Sequence, residues 1–179
     1  MVKALIIIDM IKGNTLDIYN PKKIIFNQVK LIEEFNKHNL PIIVVTDKLN
    51  SEKNPVMIRL WGDEFANEPE NKELIPEIAN SKYSIIIEKT EYSAFFQTEL
   101  EQYCKDNNVE ELYFTGVYSG CCVYFSAVDA AYRKIQPYLV IDASTTEKQE
   151  WHDSNCDQFE SVIGPLIKTQ EVIESLNSS

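Results

Sequence analysis

Residues capable of joint chemistry stand at three separated points of the chain: an acid at Asp9, a lysine at Lys89, and adjacent thiols at Cys121 and Cys122. The thiols fall in FTGVYSGCCVYFSAVDAAYRK, residues 114–134, where a turn holding Gly116 and Gly120 runs into an alanine-rich helix. A cysteine in the first turn of a helix meets the partial positive charge and open N–H groups of that terminus, which favour thiolate. Cys122 fits this description, and its alternative is a small buried hydrophobe. Cys121 points elsewhere on the helix and takes the structural part; a disulfide between the two neighbours would be strained. Asp9 either caps the next element or serves a site, and Lys89 taken alone reads as a solvated lysine.

Other chemistries fit less well. Gly116 and Gly120 match neither a dinucleotide nor a P-loop spacing, and GVYSG misses the nucleophile-elbow pattern. His38 in NKHNL and His152 in EWHDSN read as surface residues, so neither a Cys–His enzyme nor a His/Cys zinc site finds support. Cys104, Cys121, Cys122 and Cys156 show no paired framework and read as free thiols of a reducing compartment.

The elements that must position these groups follow from apolar patterning. KALIIID (3–9) is a short continuous apolar run ending in an acid, the mark of a strand buried on both faces. PKKIIFNQVKLIEEFNKHNL, opening on Pro21, repeats its apolar residues at helical spacing. Further strands are predicted at 41–46, 83–88, 111–115, 137–142 and 165–169, and helices near 72–79, 96–107 and 121–134. Residues 47–72 are polar, carry Pro55, Gly62 and Pro69, and read as a long excursion from the core. Six strands alternating with helices predict an α/β fold of three layers, α/β/α: an open six-stranded parallel sheet of Rossmann-like type in a single domain over residues 1–179. In such sheets ligands sit beyond the carboxyl ends of the strands, where Asp9, Lys89 and the thiol fall.

The bulk numbers narrow the classes. With 17 basic against 28 acidic residues among 179, the net charge of −11 speaks against nucleic acid and anionic membrane surfaces as partners. No run approaches the ~20 apolar residues of a membrane span, and no signal segment opens the chain, so the expected location is cytoplasmic.

The stretches IIIDM, EKTEYSAFFQTEL, TGVYSGCCVYFSAVDA and VIDA, in this order and spacing from residue 3 to about 145, resemble the isochorismatase-like cysteine hydrolases, the superfamily of nicotinamidases and N-carbamoylsarcosine amidases. The resemblance implies an Asp–Lys–Cys catalytic triad, carried here by Asp9, Lys89 and Cys122. Cys122 takes the nucleophile's place because Val123 follows it and Gly116 lies six residues before it. The resemblance further implies a non-proline cis peptide between Val117 and Tyr118, which sets the Tyr118 and Cys122 N–H groups side by side as an oxyanion hole. The implied reaction is cleavage of a C–N bond in a small amide or N-carbamoyl compound through a thioester, with no cofactor. Homodimers or homotetramers are the family's usual assemblies.

Departures from the family pattern bear on the substrate. The nicotinamidase metal site needs two histidines beside Asp47, where this chain has Leu49 and Glu64; no metal site of that type is expected. Asn14 stands where the first motif usually places an aromatic residue, and Tyr118 is bulkier than the small residue often found there. Asn14, Trp61, Phe95 and Tyr118 are the expected substrate-lining residues. Two readings follow: an amidohydrolase with an intact triad, or a catalytically silent relative that binds a ligand or serves as an oligomeric partner.

Overall fold

The computed structural model describes residues 1–48, 59, 60, 62 and 68–178. Six strands, β1 (Val2–Ile8), β2 (Ile42–Asp47), β3 (Ile85–Lys89), β4 (Val109–Gly116), β5 (Gln136–Ser144) and β6 (Leu166–Ile167), form one sheet in the order β3-β2-β1-β4-β5-β6. Every strand pairing in it is parallel. The helices are α1 (Pro21–Lys37), α2 (Pro76–Ala79), α3 (Leu100–Asp106), α4 (Cys122–Tyr132), α5 (Gln149–Val162) and α6 (Thr169–Asn177).

The apolar run of β1 explains the layering. Ala4, Ile6 and Ile8 face one core with residues of α3, α4 and α5, while Leu5 and Ile7 face a second core with residues of α1, α2 and α6. A strand alternates its side chains between the two faces of the sheet, so a run without polar interruption requires cover on both. Helices accordingly cover both sides. Among the described residues no helix is long and apolar enough to cross a membrane.

The structure departs from the sequence reading in four elements. The helix expected from residue 96 starts at Leu100. Ahead of it the Ser93 hydroxyl accepts the Phe95 N–H at 3.2 Å, and the Thr98 hydroxyl donates to the Ala94 carbonyl while accepting the Leu100 N–H. These side-chain bonds compete with a helical ladder and bend the segment. The last strand shrinks to Leu166–Ile167 because Glu171 accepts the Lys168 N–H at 2.7 Å, capping α6 immediately after it. Helices α5 and α6 themselves were not anticipated.

Strand order reverses between β1 and β4, the position at which a parallel sheet opens a crevice above its carboxyl edge. Close approach there depends on Gly116, the end of β4, which sits opposite Ile8 with φ +107. A Cβ at this position would lie 2.1 Å from the Ile8 carbonyl oxygen, so only glycine permits the pairing.

Candidate active site

Asp9, Lys89 and Cys122, separated by up to 113 residues in sequence, converge above that crevice. Asp9 follows β1 and holds a left-handed backbone, φ 52, that short polar residues tolerate. Its N–H donates to the Val45 carbonyl at 3.0 Å, and Asn14 Nδ2 donates to its carbonyl at 3.3 Å. Lys89 closes β3 with its side chain fully buried, and Cys122 opens α4. Lys89 Nζ stands 2.8 Å from Asp9 Oδ2 and 3.5 Å from Cys122 Sγ. The buried Asp9 carboxylate is compensated by the ammonium of Lys89 as a close ion pair.

Asp47, the last residue of β2, pairs in register with Lys89, and β2 lies between β3 and β1 in the sheet. Burial raises the Asp9 pKa against the pull of Lys89, and Asp47 adds to the rise. For Lys89 burial works against the charge, but Asp9, Cys122 and Asp47 together outweigh it and raise its pKa. Burial pushes the Cys122 thiol well above its ordinary value; Lys89 opposes this and Asp9 reinforces it. Burial therefore opposes the thiolate that the helix terminus and Lys89 favour. One cation between two acids supports one anion, and with Asp9 ionised the sulfur keeps its proton.

The turn before α4 contains a cis peptide between Val117 and Tyr118. The Tyr118 carbonyl accepts both the Cys121 and Val123 N–H groups, at 2.9 and 3.4 Å. Val117 N–H donates to the Ile8 carbonyl at 3.0 Å and Ser119 N–H to the Thr145 carbonyl at 2.8 Å, so the turn is tied to both neighbouring strand ends. Gly120 packs against Asn155, whose side chain a Cβ there would meet at 2.6 Å. Cys121 is half-buried and non-helical, with φ −127 and ψ −103.

Of the expected substrate-lining residues, Asn14 and Tyr118 lie together near Asp9. The Tyr118 hydroxyl approaches the Asn14 carbonyl at 3.5 Å, and burial, then Glu147, raises its pKa. Phe95 is buried in the core that also holds Cys122, with the Arg133 guanidinium 4.9 Å above its ring. Trp61 lies outside the described residues, as do Leu49 and Glu64. Among the described residues no group of three His, Cys, Asp or Glu is arranged to hold a metal.

His38 is exposed, but His152 is buried, at 8 % exposure. Its position was legible in principle. His152, Cys156 and Phe159 recur at i, i+4 and i+7 and form the buried face of α5. Asp47 had been noted only as a remnant of a metal site, and its electrostatic reach emerges from the strand register.

A family model described as the isochorismatase domain matches residues 3–171. Enterobactin synthase component B of Escherichia coli is 25 % identical over 154 residues, covering 85 % of this chain and 54 % of its own length. The chain thus spans about half of that relative. N-carbamoylsarcosine amidase of Thermoplasma acidophilum superposes with a TM-score of 0.84 at 27 % identity, covering 96 % of this chain and 98 % of that one. Nicotinamidase of Bacillus subtilis gives 0.83 at 25 % identity, covering 94 % and 100 %.

Proposed function

Because the chain belongs to the isochorismatase family of hydrolases, we propose that it cleaves a C–N bond of a small amide or N-carbamoyl compound through a thioester on Cys122. The observation that carries this reading is the buried cluster itself, a thiol and a carboxylate held on one ammonium at 3.5 and 2.8 Å. The resemblance in fold to an N-carbamoylsarcosine amidase and a nicotinamidase supports the same bond class.

In the first step Asp9, its basicity raised by burial, takes the Cys122 proton as sulfur attacks the carbonyl carbon. Negative charge leaves the carboxylate and passes through sulfur to the carbonyl oxygen, and Lys89 stays beside the exchange as its fixed counter-charge. The Tyr118 and Cys122 N–H groups receive the oxyanion, each contribution worth roughly 3 kcal/mol by analogy with other oxyanion-hole donors. Protonated Asp9 hands its proton to the departing nitrogen, and ammonia or amine leaves. Water then gives a proton to Asp9 and adds to the thioester. Collapse of the second tetrahedral species releases the acid and returns the proton to sulfur. All three steps use one carboxylate, and no cofactor enters. The substrate is a small molecule, and the assembly is a homodimer or homotetramer.

The test is ammonia release over a panel of amides and carbamoyl compounds, with intact-mass detection of an acyl adduct. The proposal expects turnover by the native chain, an adduct mapped to Cys122, and neither in Cys122→Ala. Turnover that survives Cys122→Ala would overturn it, and so would a panel that gives neither ammonia nor adduct.

A further inference from the structure

His152 does not touch the reacting cluster, yet its ring joins three elements at the turn beside it. Nε2 lies 2.9 Å from the Ile141 carbonyl of β5, and a carbonyl only accepts, so this nitrogen carries the proton. Nδ1 is then a bare acceptor 3.1 Å from Ser119 Oγ, and the Ser119 hydroxyl must donate to it. Asn155 Nδ2 donates to the same oxygen at 3.1 Å. With its backbone N–H on the carbonyl of Thr145, the residue after β5, Ser119 is held once from there and twice from α5, and it has no exposed surface. Burial lowers the His152 pKa, which keeps the ring in the neutral form this pattern requires.

Ser119 is the residue after Tyr118, and the plane of the peptide that carries the Tyr118 N–H cannot turn freely while its neighbour is fixed. We propose that His152 is a positioning residue for the oxyanion hole, acting through the Ser119 hydroxyl to aim the Tyr118 N–H at the substrate oxygen. This rests on the cysteine-hydrolase reading above, and in particular on Tyr118 as a donor. It assigns α5 a part in catalysis that its distance from Asp9 and Lys89 conceals. A misplacement of about 1 Å in such a donor costs on the order of 100-fold in rate.

Two reactions of the same sulfur separate this role from a merely structural one. Acylation by p-nitrophenyl acetate passes through an oxyanion: sulfur adds to the ester carbonyl, nitrophenolate leaves, and acetyl remains on Cys122. Alkylation by iodoacetamide displaces iodide and forms no oxyanion. Both rates are measured on native protein, His152→Leu, His152→Gln and Ser119→Ala, with the Cys122 adduct identified by peptide mass and folding checked by thermal melts.

His152→Leu and Ser119→Ala are expected to slow acylation at least about 10-fold while alkylation stays within about 3-fold. His152→Gln, whose amide can accept from Ser119 and donate to Ile141, should recover much of the loss. Equal slowing of both reactions, or slowing of neither, overturns the proposal. Native protein that alkylates at Cys122 but never acylates there overturns the oxyanion-hole reading beneath it, and that failure is visible before any variant is made.

Discussion

In the cluster of Asp9, Lys89 and Cys122 one ammonium lies between a carboxyl and a thiol, and burial raises the pKa of both acids. The pH dependence of turnover should show it. Asp9 must be ionised to accept the sulfur proton, and burial raises its pKa, so kcat/KM should rise through an acid limb displaced above the ordinary carboxylate range. The Lys89 and Cys122 pKa values are both raised, so no alkaline limb should follow near the ordinary thiol value. A profile that instead rises through the ordinary thiol range would mean that a preformed thiolate is the reactive species. The same cluster sets a stability prediction. Lys89→Met strands a buried carboxylate and should cost roughly 3–5 kcal/mol near neutral pH, measured by urea unfolding. Asp9 then has a folded pKa above its unfolded value, so the folded state gains protons first on acidification. The deficit should shrink as pH falls through the folded value. Adding Asp9→Leu to Lys89→Met should recover much of the loss at neutral pH, because no charge is left to compensate.

At the scale of elements, the carboxyl ends of β1 and β4 meet through Gly116, which has both a positive φ and the Ile8 carbonyl where a side chain would begin. Gly116→Ala should therefore cost more than about 2 kcal/mol, read as a lower melting temperature, because the object in its way is backbone. The sequence carried the sheet well: β1, β2 and β4 are apolar runs buried on both faces, and a period-free apolar run has few other uses in a chain of this kind. Asp9 follows β1, Lys89 ends β3 and Cys122 opens the helix after β4, but only the family resemblance singled the three out together. The helices after β5 were harder to see. The inward face of α5 is His152, Cys156 and Phe159, while Trp151, its largest apolar side chain, is half exposed, so composition hides the period. The burial of Phe95 was hidden as well, because it follows from Ser93 and Ala94 being tied to α4, by Ser93 Oγ donating to Asp129 Oδ2 and by Ser126 Oγ accepting the Ala94 N–H at 2.9 Å. The ionisation state of Cys122 was illegible for a different reason. Desolvation depends on everything packed around the sulfur, and no local spacing encodes that.

For the molecule as a whole, a net charge of −11 is matched by the acids disposed around the site. Asp47 acts on all three members of the cluster, Glu147 acts on Tyr118 and Cys121, and Asp17 acts on Tyr118. Glu147 is held in place by the Thr146 hydroxyl, which donates to it. Lys89, the cation buried in the cluster, is already committed to Asp9. A substrate bearing a carboxylate would approach against this field and find that ammonium neutralised, whereas an uncharged or cationic amide would not. For two substrates of the same shape, one neutral and one anionic, kcat/KM should favour the neutral one by at least about 10-fold at low salt. Raising the ionic strength from about 0.01 M to about 1 M shortens the screening length from roughly 30 to roughly 3 Å and should close much of that gap. Glu147→Gln should narrow it further at low salt, because it removes a charge at the turn without touching Asp9 or Lys89. A preference for the anion that weakens with added salt would reverse the sign of the field and sink this account of selectivity, while leaving the chemistry of the cysteine intact.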